Sequence, residues 1–360
     1  MSPIKINHDQ SVFNIVTDFQ SYFENISQAI DFPNEWNRQT CFEIEIKKSF
    51  LRGLIRYSHS SIYLIRQIKK IYNQQFNKND NLNWLSLPYP MIHLPKDQVE
   101  RGIYHYDEKK KNFYTCWIPL IDYEYNSLSF FKFQNKFVEL LSPILLRSNL
   151  CEVASSKIKA KKGNVFFWNG KHIHKGNLNI SNTTSMAVQL KLTKDVYVYE
   201  QSSSLQNKID LNENFMNFSK SEIQNLFDEY NKIILEIKKN KDNKDYKKGI
   251  KNILKDFNKK SLPISFALSL LSQRIITHKK FFTDYYITPS FTEFLDLVSI
   301  VIGSANLISL QRLKTKLNNS NELEKLLKDL NIFSAIPFET SQFTSILSNN
   351  SILSNNHFRA

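Results

Sequence analysis

Glycine and cysteine are both scarce in this chain of 360 residues. Only seven glycines are present, which argues against a fold built around a glycine-rich phosphate-binding loop. The three cysteines, Cys41, Cys116 and Cys151, are odd in number and far apart in the sequence. They form no metal-binding or redox motif, and they indicate a protein of a reducing compartment.

A long apolar segment is also lacking. The most apolar late stretch, Phe294–Leu310, is interrupted by Asp296 and Asn306, so it predicts a buried helix instead of a membrane span. The first residues, MSPIKINHDQ, do not show the charged and then apolar pattern of a signal peptide. We therefore expect a cytoplasmic protein without a membrane span.

The formal net charge of +14 is concentrated in one stretch. Lys232–Lys260 contains eleven lysines and four acidic residues. Such an excess is compatible with a solvated helical face or with a basic surface that binds an anionic partner. Aromatic residues do not alternate with these lysines in the manner of nucleic-acid-binding surfaces, so nucleic acid is not the expected partner.

The pattern of apolar residues divides the chain into three parts. Helical spacing dominates residues 10 to 75, short β-rich runs dominate 89 to 199, and helical spacing returns afterwards. We predict a domain over 1–199 with supporting N-terminal helices, a helical region over 200–340 and a flexible tail over 341–360. The predicted strands are Phe113–Leu120, Asn164–Trp168 and Met186–Leu192. The predicted late helices are Leu226–Ile237, Ile264–Ile276, Phe291–Leu310 and Leu323–Leu330.

Residues 121 to 162 have a different texture, with clusters of Phe and Leu, and we predict a partly helical insertion there. The tail repeats the sequence SILSNN in tandem. Such a repeat is typical of a frayed chain end.

A possible metal-ligand pattern falls in the β-rich part. His105 and Asp107 form an H-x-D pair, and residues two apart on an extended strand point to the same face. Two histidines and one carboxylate on one side of Fe(II) leave coordination positions open for other ligands. The pair alone is equally typical of an ordinary surface His-Asp contact, so its surroundings carry the prediction.

Several further motifs occur around the pair in a fixed order. They are His93-Leu94-Pro95, His105-Tyr106-Asp107, Trp117-Ile118-Pro119-Leu120, Asn126-Ser127-Leu128, the run from Gly163 to Phe167, and His174 followed by Asn179 and Ser181. Over about residues 88 to 192, this order resembles the phytanoyl-CoA-hydroxylase-like branch of the 2-oxoglutarate oxygenases. It is especially similar to bacterial dioxygenases of antibiotic and surface-sugar pathways.

The resemblance implies an α+β fold with a double-stranded β-helix (jelly-roll, cupin-type) core. It implies Fe(II) held by His105, Asp107 and His174, with 2-oxoglutarate as cosubstrate, molecular oxygen, and hydroxylation of a small molecule. His172 competes with His174, which is favoured because Asn179 and Ser181 fit the family offsets only from there. The carboxylate of Asp107 argues against a halogenase, in which a small residue takes that place.

The cosubstrate site is where the sequence departs from the family pattern. The basic residue that binds the far carboxylate would stand at Ser185, and serine cannot form that ion pair. Lys191 lies on the same strand face as Ser185 and Gln189 and is the available replacement for that basic residue. It can also be interpreted as an ordinary surface residue of the strand. Trp117 and Asn179 match pocket positions of the family, although Trp117 also suits an ordinary core aromatic. His93 is compatible with a position near the metal site and equally with an ordinary buried histidine of the core.

Three hypotheses about function therefore stay open. The first is an active oxygenase that uses 2-oxoglutarate or a different oxo acid. The second is a binding or scaffold module on a degenerate oxygenase fold. The third is a basic adaptor that uses Lys232–Lys260. The intact ligand triad favours the first, and Ser185 weakens that preference.

Overall fold

The computed structural model of the protein describes residues 4–6, 10–76, 83–84, 88–100, 102–107, 113–133, 146, 150–193, 216–240, 261–286 and 289–302. The predicted helix Leu323–Leu330, the SILSNN repeat and the tail over 341–360 lie outside the described residues. Residues 241–260, the larger part of the lysine-rich stretch, lie outside them as well.

Helices lie on both sides of the β-rich part, as the apolar spacing predicts, and one short helix lies within it. They are α1 (Gln10–Ala29), α2 (Cys41–Arg56), α3 (His59–Phe76), α4 (Leu150–Val153), α5 (Lys220–Asn240), α6 (Leu262–Thr277), α7 (Thr283–Tyr286) and α8 (Pro289–Ile302). Helix α6 begins where Ser261 accepts a hydrogen bond from the Ile264 backbone and Pro263 occupies the first turn. None of the described helices is long and apolar enough to cross a membrane.

The observed strands confirm the predicted β-rich part. The ends of the predicted strands differ from the observed ends by about one residue. They are β1 (Ile4–Ile6), β2 (Asn83–Trp84), β3 (Tyr89–His93), β4 (Phe113–Pro119), β5 (Leu128–Phe131), β6 (Ser155–Ile158), β7 (Val165–Asn169), β8 (His174–Gly176) and β9 (Ser185–Thr193). The segment predicted as an insertion, 121–162, supplies β5 and β6 as well as α4. It therefore contributes strands to the fold, which the Phe and Leu clusters had not indicated.

Two antiparallel sheets result, so the fold is mixed α/β with several helices. The larger sheet has the order β1-β7-β4-β9-β2, and β3 also pairs with β9. The smaller sheet has the order β6-β5-β8. An isolated bridge between His105 and His174 brings the segment 102–107 alongside β8.

The larger sheet is buried on both faces. One face, with Cys116, Val165 and Leu190, belongs to the main core that also contains the helices. The other face carries Trp117 and Phe166 and packs against the smaller sheet in a second core. Strands buried on both sides are apolar at nearly every position, which explains the continuous apolar run in β7.

Helices α2 and α6 are joined to each other and to the segment that follows β3 by a buried group of charges, here called the core ion network. Its members are Glu45, Lys48, Arg52, Asp97, Glu100 and Arg274. Arg274 of α6 contacts Glu45 of α2 at 3.2 Å and Glu100 at 2.8 Å. Helix α6, which belongs to the predicted 200–340 region, therefore packs directly on the N-terminal part of the chain. The domain division at residue 199 stays a prediction.

Candidate metal centre

His105, Asp107 and His174 come together at one point of the fold. Each offers one ligand atom, and these atoms all lie within 4.8 Å of one another. The backbones of the two histidines pair through two hydrogen bonds of 2.9 Å, one in each direction. Since His105 and Asp107 are two residues apart on this extended segment, both side chains face His174. The three residues predicted as ligands therefore form a group that could hold a metal ion.

Both imidazole rings are oriented by backbone carbonyl groups. Nδ1 of His105 donates to the Ile103 carbonyl at 2.8 Å, and Nδ1 of His174 donates to the His172 carbonyl at 2.8 Å. Each Nε2 is then the ring atom with a free lone pair, which is the arrangement of a metal-binding histidine. These Nε2 atoms face the Asp107 carboxylate, at 3.9 Å for His105 and 3.6 Å for His174.

His172, the competing candidate, does not join this group. Its Nε2 lies 3.2 Å from the Phe131 carbonyl, inside the core. His172 contributes its backbone carbonyl to the orientation of His174 instead. The preference for His174 as the candidate ligand thus agrees with the geometry.

The Asp107 carboxylate is held by three side chains. Its Oδ2 accepts hydrogen bonds from the Thr115 hydroxyl at 2.5 Å and from the Trp168 indole at 3.0 Å. Its Oδ1 lies 2.5 Å from the Lys191 ammonium. Thr115 is the cross-strand partner of both Trp168 and Lys191, so the three form one row across β7, β4 and β9.

The surroundings favour the protonation states that a metal site requires. Burial works against ionised Asp107, yet the charges of Lys191, His174 and His105 hold its pKa well below the usual range. Burial lowers the pKa of His174 to about 3, although Asp107 opposes this shift. Near neutral pH, Asp107 is therefore an anion and His174 an uncharged imidazole.

The group is closed on one side and open on the other. The side chain of His174 is only 3% exposed, while that of His105 is 43% exposed. Phe130 stacks on the His174 ring at a centroid distance of 5.7 Å, and Trp168 lies at 4.9 Å. The exposed Ile103 precedes His105. A ligand would therefore approach from the His105 side.

The positions predicted for the cosubstrate lie on the same inner face at different depths. Gln189 pairs with Trp117, one row further along the sheet than Lys191 and Thr115. Ser185 lies at the far end of β9, where its hydroxyl is 2.9 Å from the Tyr125 hydroxyl and 3.4 Å from the His93 carbonyl. Lys191, the expected replacement for the missing basic residue, is paired with Asp107 in this structure.

Asn179 has a clear role in the loop between β8 and β9. Its amide nitrogen donates to the carbonyls of His93 and Thr183, and its Oδ1 accepts from the backbone and hydroxyl of Ser181. The hydrogen-bonding capacity of this amide is thus used inside the protein. Its predicted contact with a cosubstrate stays a prediction.

Three residues at this site were missed in the sequence. Thr115 and Trp168 bind Asp107, and their strands had been predicted without a role for either side chain. The signal was the position of Thr115 two residues before Trp117, on the same face of β4. Gly102 is the third, since a Cβ there would lie 2.4 Å from the Gly176 carbonyl oxygen. It allows the two ligand-bearing segments to approach each other.

Comparisons with known proteins give distant similarities. No protein-family model matches the sequence, and no curated protein matches it. Among solved structures, the chain is similar to SnoK, a non-haem α-ketoglutarate-dependent carbocyclase from nogalamycin biosynthesis. The identity is 16%, 53% of this chain and 79% of SnoK are covered, and the TM-score is 0.32.

It is also similar to HygX from Streptomyces hygroscopicus, solved with nickel and 2-oxoglutarate bound, at 12% identity. That match covers 53% of this chain and 82% of HygX with a TM-score of 0.34. ThoJ, a non-haem monooxygenase in complex with nickel, is 9% identical, with 52% and 73% coverage and a TM-score of 0.35. All three TM-scores are below 0.5, so these likenesses carry no weight for the chemistry of this chain.

Proposed function

We propose that this protein is a non-haem Fe(II), 2-oxoglutarate-dependent oxygenase that hydroxylates a small molecule such as a sugar, a lipid precursor or a secondary metabolite. The observation that carries the proposal is the convergence of His105, Asp107 and His174 with both Nε2 atoms facing the carboxylate. In the same proposal, the two facing sheets are the halves of a double-stranded β-helix, and the chain is of the phytanoyl-CoA-hydroxylase-like type.

The donor set fits Fe(II). Two imidazole nitrogens and one carboxylate oxygen on one side of an ion leave positions open for a cosubstrate and oxygen. Bound iron would supply the oxidising chemistry that couples decarboxylation of the oxo acid to oxidation of a carbon–hydrogen bond. The donors are also held in place before any ion binds, since backbone carbonyls orient both rings.

The surrounding residues have separable roles in this proposal. His105, Asp107 and His174 hold the metal, while Thr115 and Trp168 fix the rotation of the carboxylate. The buried rings of Phe130 and Trp168 keep water away from the His174 side. The open His105 side admits the small-molecule substrate and oxygen.

The inner face next to the metal ligands provides polar groups for the oxo acid. The indole Nε1 of Trp117 is buried and has no hydrogen-bond partner among the residues that the structure describes. Because buried donors are nearly always satisfied, an acceptor from a bound ligand would complete it. Gln189 stands opposite Trp117, and Lys191 adds the basic group of this face. Ser185 and Asn179 are the deeper predicted positions. Ser185 supports the site from the side of Tyr125, and Asn179 supports it from the loop between β8 and β9.

A metal-binding scaffold without turnover is the second candidate. Two observations favour it: Lys191 is paired with Asp107, and Ser185 is hydrogen-bonded to an uncharged tyrosine where the family has a basic residue. A metal cage would then persist without a firm carboxylate clamp. Iron binding is common to both candidates, and oxo-acid binding separates them.

Anaerobic titration tests the proposal. Wild-type protein given Fe(II) and then 2-oxoglutarate should develop the weak visible charge-transfer band of an oxo acid chelated to ferrous iron. Asp107→Ala should weaken iron binding by more than roughly 100-fold, the loss expected when a residue that only hydrogen-bonds to a metal ligand is removed. His172→Gln should bind iron as wild type does. If wild-type protein bound iron without the band, the scaffold would be favoured. If Asp107→Ala bound iron as wild type does, both candidates would be wrong.

A further inference from the structure

The ammonium group of Lys191 lies beside the Asp107 carboxylate, where the metal ion of the proposed function would bind. Its Nζ lies 2.5 Å from Oδ1 of Asp107 and donates to the Thr115 hydroxyl at 3.0 Å. Thr115 in turn donates to Oδ2 of the same carboxylate. The ammonium group therefore neutralises the anionic member of the candidate ligand group.

The two oxygens of Asp107 are not equally available. Oδ2 already accepts two hydrogen bonds, from Thr115 and Trp168, which use both of its lone pairs. Among the described residues, Oδ1 is bound by the Lys191 ammonium. Nε2 of His105 lies 3.9 Å from Oδ1, and Nε2 of His174 lies 3.6 Å from Oδ2. A metal ion is therefore expected to bind through Oδ1, which is the oxygen that Lys191 occupies.

A divalent ion and the Lys191 ammonium cannot share that oxygen without strong repulsion. Both would lie within a few ångströms of Oδ1, and the site is largely buried, so solvent screens the two charges poorly. The lysine stem is flexible and its side chain is 30% exposed, so the ammonium has a route away from the carboxylate. Metal entry should therefore displace it.

We propose that Lys191 exchanges partners: it binds Asp107 when the site is empty, and it binds a carboxylate of the incoming 2-oxo acid when the metal is present. The exchange makes the binding of metal and of oxo acid mutually favourable, because the oxo acid stabilises the displaced lysine. Lys191 is the cross-strand partner of Thr115, and both side chains contact Asp107. Lys191 would thus hold the oxo acid beside the metal, while Ser185 lies six residues away along β9.

This inference rests on the proposed function and makes a separate prediction. The affinity for Mn²⁺ is measured by calorimetry under anaerobic conditions, without and with 2-oxoglutarate, for wild type, Lys191→Met and Lys191→Gln. Removing the competing charge should tighten binding of Mn²⁺ alone by about tenfold, the effect of roughly 1.4 kcal/mol. It should also reduce the factor by which 2-oxoglutarate strengthens Mn²⁺ binding. This factor is a coupling between two ligands, and a merely structural lysine would not change it.

The controls separate the possible failures. Lys157→Met removes an exposed lysine from β6 of the other sheet and should behave as wild type. Lys191→Gln can still hydrogen-bond to Asp107 and Thr115, so it isolates the charge and guards against loss of the fold in Lys191→Met. If wild type binds Mn²⁺ and both Lys191 variants bind it equally or more weakly, the exchange is wrong and the proposed function stands. If wild type binds no Mn²⁺, the proposed function itself is wrong.

Discussion

The core ion network and the metal centre are both buried clusters of charged side chains, but their charges are balanced differently. The network has three cations and three anions, and its ion pairs measure 2.6 to 3.5 Å. The metal centre has one carboxylate and one ammonium, with two imidazole Nε2 atoms directed at the same carboxylate.

This difference separates a structural cluster from a candidate site. In the core ion network, Glu100 is in ion-pair contact with Lys48, Arg52 and Arg274, so no cation is needed from outside. At the candidate metal centre, the lone pairs of two Nε2 atoms are directed inwards, where one cation could use both. Unused donor capacity that converges on one point indicates ligand binding.

Removal of one network anion should give the largest effect on stability. Glu100→Ala leaves three buried cations facing two anions, and breaking a buried pair typically costs about 3–5 kcal/mol. We expect a loss of that size in the free energy of unfolding, measured by urea denaturation of the metal-free protein. Glu43→Ala, which removes an exposed carboxylate from the same helix, is the control. Equal losses in the two variants would contradict the structural role of the network.

Removal of a hydrogen bond to Asp107 should affect the other cluster. Thr115→Val deletes the hydroxyl that orients the carboxylate but keeps the shape of the side chain. We expect metal affinity to fall by about 10- to 100-fold, as for other outer-sphere partners, and unfolding to change little. Thr115→Ser retains the hydroxyl and should bind Mn²⁺ as wild type does. An unchanged affinity in Thr115→Val would mean that Trp168 alone orients Asp107.

The smallest predicted effect is a change in how stability depends on pH. Between pH 3 or so, the pKa of His174 in the folded protein, and 6.5, its ordinary pKa, the unfolded chain binds a proton that the native state does not. Stability of the metal-free protein should therefore fall as the pH is lowered through this window. One such histidine contributes a slope of at most about 1.4 kcal/mol per pH unit.

His174→Gln should flatten that slope, measured by urea denaturation at a series of pH values. The exposed His59→Gln is the control, and it should leave the slope unchanged. Part of the slope should persist in His174→Gln, because burial lowers the pKa of His278 to about 4. If His174→Gln kept the full wild-type slope, His174 would not be buried in its uncharged form.

The order of helical, β-rich and helical parts could be predicted because it depends on local apolar spacing. The candidate ligand pair His105 and Asp107 could be predicted for a similar reason, since two-residue spacing on an extended segment places both on one face. The two strands within 121–162 were not predicted, whereas the short helix there agrees with the predicted partly helical character. Strands buried on both faces, like β5, lack the alternation that distinguishes a strand from a buried helix.

The partners of Asp107 were beyond prediction from local patterns. Thr115, Trp168 and Lys191 meet there because β4 pairs in one particular register with β7 and β9, and a shift of one residue would turn each to the opposite face. The interpretation of Lys191 as a clamp for the far carboxylate did not include its contact with Asp107, since no local pattern specifies a pair 84 residues apart.

Local chemistry in the chain is thus sufficient to predict the candidate metal ligands, most of the strands of the β-rich part and the helices that flank it. Long-range packing was required to specify which charges are neutralised and which donors stay available. Arg274 meets Glu45 across 229 residues of sequence, and Lys191 meets Asp107 through the register of a sheet. The physical reason is that electrostatic partners are selected by distance in space, which folding sets for the whole chain at once.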